Sequence, residues 1–426
     1  MLELPNGWAV ETLPIFCNVR TGKKDANHAN EQGVYRFYTC SRKYSFCDTF
    51  SFCGKCVIVP GNGDIGLVFY YDGSFEAYQR TYVLENICIL PKYLYYHFLW
   101  NWRHINTNKQ YGTTVRYVRI SNFYNYVVRI SPCAEQHRIV AKIDALFSEL
   151  DKGIEILQII RQQLRMYRQA VLKWAFEGAI TNTEMSPAKL GDYIEKPRYG
   201  TSKKCLPGLP NSGDVCVLRI PNVDYHLGVI DYSDVKYASF NDEEKSALML
   251  RENDILLIRS NGSVSLVGRA AIIRKHDASN LFAGYLIRLR VTNQQLLSRY
   301  LLFYLSSPNA RIYIERIAKS TSGVNNINAK EIESIPINVC SVNEQKDIVA
   351  AIESRLSICD KLLQIVDENL NKAQALKQSI LKKAFAGQLV QQDTNDESAS
   401  ILLERIKAEQ KHPAVKAKTK GGRKNG

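Results

Sequence analysis

Two stretches of the chain share one alternation of apolar and polar positions: EQHRIVAKIDALFSELDK from Glu135 and EQKDIVAAIESRLSICDK from Glu344. In the first, apolar residues recur every three or four positions, at Ile139, Ile143, Leu146, Leu150, Ile154, Leu157, Ile160, Leu164, Tyr167 and Val171. The second does the same at Ile348, Ile352, Leu356, Cys359, Leu363, Val366, Leu370, Ala373 and Ile380. This period marks one face of an α-helix, and so narrow a stripe marks a helix that pairs with another helix. No proline lies between Pro132 and Pro187, or between Pro336 and Pro413, to break either run. Ser131-Pro132 suits a helix start, and Ser341 with Glu344 has capping-box spacing. Gly178 and Gly387 stand where the helices should stop. Each predicted helix holds about 43 residues and runs roughly 65 Å.

The two stretches are a repeat. They align without a gap from Glu135 to about Ile180, each residue lying 209 positions before its mate. The mates include Glu135 and Glu344, Gln136 and Gln345, Ile143 and Ile352, and Asp151 and Asp360. Lys173 and Lys382, Phe176 and Phe385, and Gly178 and Gly387 continue the series. A period this long excludes a solenoid, whose units span roughly 20–50 residues. It fits a duplicated unit of one domain followed by one long helix. Parallel pairing within one chain is hard to connect, so the helices are expected to lie antiparallel. Heptads alone leave pairing in trans open.

The flanking regions read differently. Short β-rich runs (KCVIVP, ENDILLIRS, GYLIRLRV) alternate with turn signals and short helical patterns such as QQLLSRYLLFYLSS. Each region has an early basic Gly/Thr turn, Arg20 to Lys24 and Tyr199 to Lys204, then a strand leading into an Asn-Gly loop, VIVPGNGDIG and LLIRSNGSVS. Each closes on Gly-rich polar residues, from Tyr111 and from Ser320. The predicted fold class is α+β: two β-rich α/β domains separated by two long helices that form an antiparallel coiled coil. The expected segments are a first domain over 1–133, a helix over 134–180, a second domain over 181–340, a helix over 341–390 and a disordered basic tail over 391–426.

Composition narrows the function classes. The 426 residues are 45% hydrophobic and 23% charged, with a formal charge of +14 that favours a polyanionic partner, most often nucleic acid. Lys411 to Gly426 holds six Lys or Arg residues and no acid. The longest apolar run, YLYYHFLW, is far shorter than the roughly 20 residues of a membrane helix. MLELPNGWAVETL has no secretory pattern, and eleven irregularly spaced cysteines suit a reducing cytoplasm. No Pro-Pro occurs, against an amino-methyltransferase tetrad, and no GxxxxGK[ST] loop is present for a motor. Cys53-Gly-Lys-Cys56 has metal-ligand spacing without a second matching pair, so Cys56 reads as a core residue and no metal site is expected.

The arrangement resembles the DNA specificity subunit of type I restriction–modification enzymes. The residues that carry the resemblance are the two helix openings with their sequels RQAVLKWAFEGAIT and KQSILKKAFAGQLV, and the entry Leu4-Pro-Asn-Gly-Trp8. The resemblance covers residues 1 to about 390. It implies sequence-specific binding of double-stranded DNA, with each target-recognition domain reading half of a split, asymmetric target. The helices would set the spacing and dock two methyltransferase subunits. The chain itself would hold no catalytic residues and no cofactor. S-adenosylmethionine, ATP and Mg would belong to the methyltransferase and to ATP-dependent restriction/translocase partners, in a cytoplasmic phage-defence system with no membrane partner. Two other readings stay open: an autonomous DNA-modifying enzyme with degenerate motifs, and a structural coiled-coil protein.

Base-reading candidates follow from the loops of the shared domain plan. In the first domain they are Lys23, Lys24, Asn62, Asp64, Arg80, Arg103 and Tyr111, and in the second Lys203, Arg259, Asn261, Ser263 and Arg269. Arg on guanine or Asn on adenine discriminates by roughly 1–3 kcal/mol. The plainer alternative for each is a phosphate contact or a solvated charge, and for the 14 tyrosines before residue 131 a place in the core. Helix-pair packing and subunit docking fall to Ile143, Leu150, Leu157, Leu164, Phe176, Ile352, Leu363, Leu370 and Phe385.

Overall fold

A computed structural model describes residues 4–112, 115–177, 186–208, 213–318 and 323–411. Its helices, in order, are α1 (Pro91–Asn106), α2 (Ile120–Tyr124), α3 (Cys133–Phe176), α4 (Asp242–Leu248), α5 (Ser298–Ser306), α6 (Pro308–Ile317), α7 (Ala329–Glu333), α8 (Val342–Ala384) and α9 (Ala399–Lys411). Ser341 caps α8 as its spacing predicts: the Ser341 N–H and hydroxyl donate to the Glu344 carboxylate, and the Glu344 N–H donates back to the hydroxyl. After α8, Gly387 adopts φ +71°, the left-handed turn that ends a helix, while Gly178 lies outside the described residues.

The chain divides into two compact units that do not follow chain order. One joins Met1–Ile156 to Asn369–Gly426, and the other is Leu157–Glu368. Each unit thus holds one β-rich domain with a part of α3 and a part of α8. In the second unit the helix parts run antiparallel. Arg161 pairs with Asp367 at 3.2 Å and Arg168 with Asp360 at 2.5 Å, so seven residues forward on α3 are seven residues back on α8. In the first unit Lys377 of α8 pairs with Asp151 of α3. This ion pair is the repeat-mate of Arg168–Asp360, because both of its members occupy matching repeat positions.

The seam follows the predicted stripe with one correction. Ile139, Ile143, Val171, Ile348, Ile352, Leu356, Cys359, Val366 and Ile380 are buried. Leu146, Leu150, Leu157, Leu164, Leu363 and Leu370 are half-buried. Ile160 and Tyr167, however, are 37% and 47% exposed. Beside them, Arg161 and Arg168 place their guanidinium groups on α8 aspartates, with the Arg168 side chain 16% exposed.

The two domains share one sheet plan. In the first, a four-stranded sheet runs Asn18–Thr21, Thr81–Glu85, Lys55–Pro60, Phe69–Asp72, with every neighbour antiparallel. The second domain repeats this order with Arg198–Tyr199, Leu286–Leu289, Ile255–Ile258, Ala270–Ile272. A three-stranded sheet with one antiparallel and one parallel neighbour accompanies each. It runs Ser45–Cys47, Tyr35–Tyr38, Phe75–Ala77 in the first domain and Lys236–Ser239, Asp214–Leu218, Leu281–Phe282 in the second. The glycine of each early basic turn has a steric reason. A Cβ on Gly22 would stand 1.8 Å from the Ala77 carbonyl oxygen, and one on Gly200 2.3 Å from that of Ala283.

One set of contacts fastens each domain to its helices. The buried side chain of Gln136 accepts from the Leu90 N–H at the head of α1 (3.2 Å) and donates to the Ser131 carbonyl (3.0 Å). Its repeat-mate Gln345 accepts from the Leu297 N–H at the head of α5 (2.9 Å) and donates to the Cys340 carbonyl (2.9 Å). Tyr93 donates to the Arg129 carbonyl and Tyr300 to that of Asn338, both at 2.9 Å. Lys92 pairs with Asp144 at 2.8 Å, and Arg299 with Glu353 at 2.6 Å. Phe385 packs on Tyr93, His97 and Trp100, while Phe176 packs on Tyr300 and Tyr304. The two phenylalanines expected to serve helix pairing or subunit docking are therefore buried anchors for the domains. Aromatic rings of a domain helix hold each one in place, a role that repetition of Ala-Phe-x-Gly alone does not reveal.

A second correction concerns the tail. Within 391–426, residues Ala399–Lys411 form α9, and Ala399, Leu403 and Ile406 enter the core of the first unit. The Ala399 N–H donates to the Gly7 carbonyl at 2.8 Å, Arg138 pairs with Asp396 at 2.5 Å, and Lys407 with Glu11 at 2.5 Å. Residues 412–426, which hold most of the basic charge, lie outside the described residues.

Candidate nucleic-acid interface

In the first domain, the Asn-Gly loop meets the Gly-rich closing segment. Asn62 forms a backbone bridge with Tyr117, which also bridges Tyr111. The Tyr111 ring is 37% exposed, lies tilted against Tyr117 with ring centres 5.7 Å apart, and carries the Arg119 guanidinium 4.1 Å above it. Beside this aromatic and cationic surface, Asp64 accepts from Arg103 and, at 3.4 Å, from Arg42. Two candidates, Asp64 and Arg103, thus occupy each other, and a Cβ on Gly66 would collide with the Arg103 guanidinium. This carboxylate orients the arginines and leaves them free donors for an anion. Lys23 and Arg80 are exposed and Lys24 half-buried beside the Tyr78 strand bridge. Arg119 was not anticipated; its alternation with Tyr111 and Tyr117 was the available signal.

In the second domain the same two loops meet. Ser260–Asn261 pairs with Asn325–Asn326, and the Asn325 amide donates to the Gly262 carbonyl at 2.9 Å. The Asn261 side chain accepts from the Ser263 N–H at 2.9 Å, and Ser263 shares a hydroxyl contact with Ser265. Asn261 is thereby committed to holding its own loop.

Lys203 and Arg259 line a groove of about 700 Å³ together with Tyr199, Arg219, Lys236 and Tyr285. Arg259 lies 4.8 Å over the Tyr199 ring and donates to the Gly284 carbonyl at 3.0 Å. Lys203 lies over Phe240 and pairs with Glu244 at 3.4 Å. Tyr285 is 65% exposed at this groove. Four cations with two exposed phenol rings form a surface suited to a nucleic-acid backbone and base faces. Arg219, Lys236, Tyr199 and Tyr285 were not anticipated, because they converge only through sheet pairing.

Arg269 does not join that groove. It donates to the Ser265 carbonyl at 3.1 Å and lies over the Tyr225 ring, where burial lowers its pKa. Its neighbour Arg311 is pushed down to about 10 by burial and then by Arg269 itself. Arg269 lines a separate cavity of about 250 Å³ against α3 and α5. The second-domain candidates therefore divide among three places: Lys203 and Arg259 at the groove, Asn261 and Ser263 in the loop, and Arg269 at the separate cavity.

Cys56 is buried within its strand while Cys53 is exposed, and among the described residues no group of three His, Cys, Asp or Glu is placed to hold a metal ion. His97 serves packing: it accepts the Arg129 N–H at Nε2 (3.1 Å), so Nδ1 carries the proton toward Tyr126 (2.8 Å). Burial pushes the His97 pKa down to about 3, holding the ring neutral. No described helix is long and apolar enough to cross a membrane.

Comparison with known proteins agrees with this architecture. The family described as type I restriction modification DNA specificity domain matches residues 5–160 and 183–372. The chain is 27% identical over 438 residues to the type I restriction enzyme EcoDI specificity subunit of Escherichia coli, covering 96% of each. It is 31% identical to the EcoKI specificity subunit of E. coli strain K12, over 70% of this chain and 67% of that one. A solved structure concerned with complex assembly and conformational transition of the type I R–M system has the same fold, with a TM-score of 0.64 at 18% identity, covering 91% of this chain and all of that one. The chain belongs to the family of type I restriction–modification specificity subunits, with two target-recognition domains.

Proposed function

We propose that each recognition domain reads one half of a split, asymmetric DNA target, and that the helix pair fixes the unspecified gap between the halves. The observation that carries this reading is duplication of the whole mount. One sheet plan is fastened twice by matching glutamines, tyrosines, ion pairs and phenylalanines, while the loop chemistry differs between the copies. Identical mounts with unlike faces suit two readers of unlike sequences. The cations supply sequence-independent attraction to phosphates, and the arginine, asparagine and tyrosine loops supply discrimination.

The catalytic steps belong, in this reading, to partner subunits: a methyltransferase that uses S-adenosylmethionine on a flipped adenine, and an ATP- and Mg-dependent translocating nuclease. Docking of the methyltransferase on the helices is supported by an apolar face turned to solvent in the second unit. Ile159, Met166 and Tyr167 on α3 and Ile358, Leu362 and Ile365 on α8 are each 43–60% exposed. A helix pair that needed no partner would carry polar residues there. A cytoplasmic setting is part of the same proposal, supported by eleven unpaired thiols.

The test is a methylome. The chain is co-expressed with its methyltransferase subunit in a methylation-free host, and modified adenines are mapped. A bipartite asymmetric motif with a fixed gap is expected; a contiguous motif would contradict the two-reader model.

A further inference from the structure

The duplicated mount leaves two repeat-related cavities with different fates. In the second unit, Leu302, Phe303 and Ser306 of α5 and Arg168, Gln169 and Leu172 of α3 line the cavity of about 250 Å³. In the first unit the matching positions, Tyr95, Tyr96 and Leu99 of α1 and Lys377, Gln378 and Leu381 of α8, line one of about 720 Å³. The smaller cavity is partly filled from within the chain. The turn Tyr225–Gly228 enters it, Arg168 donates to the His226 carbonyl, and a Cβ on Gly228 would stand 2.9 Å from Leu302.

That turn is an insertion in the shared plan. Between the first two strands of the three-stranded sheet, the second domain spends residues 219–235, including the hairpin Val223–Asp224 with Val229–Ile230, whereas the first spends only 39–44. The first domain thus keeps the receptor without the plug. The receptor's rim, which also holds Lys152, differs in charge from its mate at Glu155, since Asp151 has an acidic mate in Asp360. Asp151 is 62% exposed even while paired with Lys377, and the exposed Glu155 one turn on has the repeat-mate Gln364.

We propose that the cavity floored by Tyr95, Leu99 and Phe147 is a docking pocket for an exposed turn of a partner subunit. The turn takes the place that Tyr225–Gly228 takes in the second unit. It offers a backbone carbonyl to Lys377, whose ammonium has donors beyond the one on Asp151. It also carries an arginine or lysine toward Asp151 and Glu155, across the faces of aromatic rings that favour a cation. This rests on the reading of the chain as a subunit that assembles with a methyltransferase.

The experiment places a photo-crosslinking amino acid at Ser148, which lines this cavity and is exposed. The full chain is assembled with purified methyltransferase subunit, irradiated and mapped by mass spectrometry. An adduct on a basic turn of the methyltransferase is expected. An adduct on this chain's own residues 412–426, an adduct on a second copy of the chain, or none in an assembled complex would overturn the pocket while leaving the subunit reading intact. If the unsubstituted chain and the methyltransferase do not assemble at all, both fall. As a second measurement, Glu155→Lys should weaken assembly at least tenfold without changing DNA binding by the chain; unchanged assembly counts against the pocket.

Discussion

At the scale of single residues, the strongest constraints are buried polar groups that finish a backbone. Gln136 and Gln345 each satisfy the first N–H of a domain helix and a carbonyl at the start of a long helix. Replacing Gln345 with Leu takes this partner from the Leu297 N–H and from the Cys340 and Gln295 carbonyls, at about 1–3 kcal/mol each. Chemical denaturation should show that loss, and an unchanged midpoint would remove the anchoring role. His97 gives a pH signature. Its unfolded pKa is near 6.5 and its folded one about 3, so the unfolded chain takes up the proton first. Its contribution is complete above pH 6.5 and drains as pH falls toward 3, at up to about 1.4 kcal/mol per unit. The wild-type midpoint should fall between pH 7 and pH 5, and His97→Gln should flatten that slope. Little at this scale was legible beforehand. Asp64, Arg103 and Asn261 are engaged with neighbours that sequence order does not show, and the groove cations meet only after the strands pair.

At the scale of elements, periodicity carried the helices well because one face of each is buried over many turns. It misplaced the seam at Ile160 and Tyr167, where Arg161 and Arg168 next to them reach α8 aspartates; a hydrophobicity pattern does not register a cross-helix ion pair. α9 escaped because its segment is rich in charge, although Ala399, Leu403 and Ile406 kept helical spacing. The seam ion pairs are testable as a cycle. Reversing Arg168 alone (Arg168→Asp) should destabilise the second unit, and adding Asp360→Arg should recover part of the loss, a coupling of roughly 1 kcal/mol. Absence of coupling would mean that the pair is incidental. By contrast Phe385→Ala should cost about 3–5 kcal/mol, because a fully buried ring leaves a cavity among Tyr93, His97 and Trp100.

At the scale of the whole molecule, the duplication was legible because the helices keep their register over more than forty positions. The shared domain plan was visible only as matched turns, since recognition faces diverge while the backbone order persists. The expected antiparallel pairing already joins the start of one helix to the end of the other, but the division of each long helix between two compact units is set by domain packing that the periodicity does not carry. The central claim is modularity, and it is tested most directly by exchange. Residues 1–130 are replaced by the corresponding domain of another family member, with both long helices kept, and the methylome is mapped beside that of the parent. The account predicts that one half of the motif changes, with the other half and the gap preserved. A change in both halves, or in the gap, would contradict it.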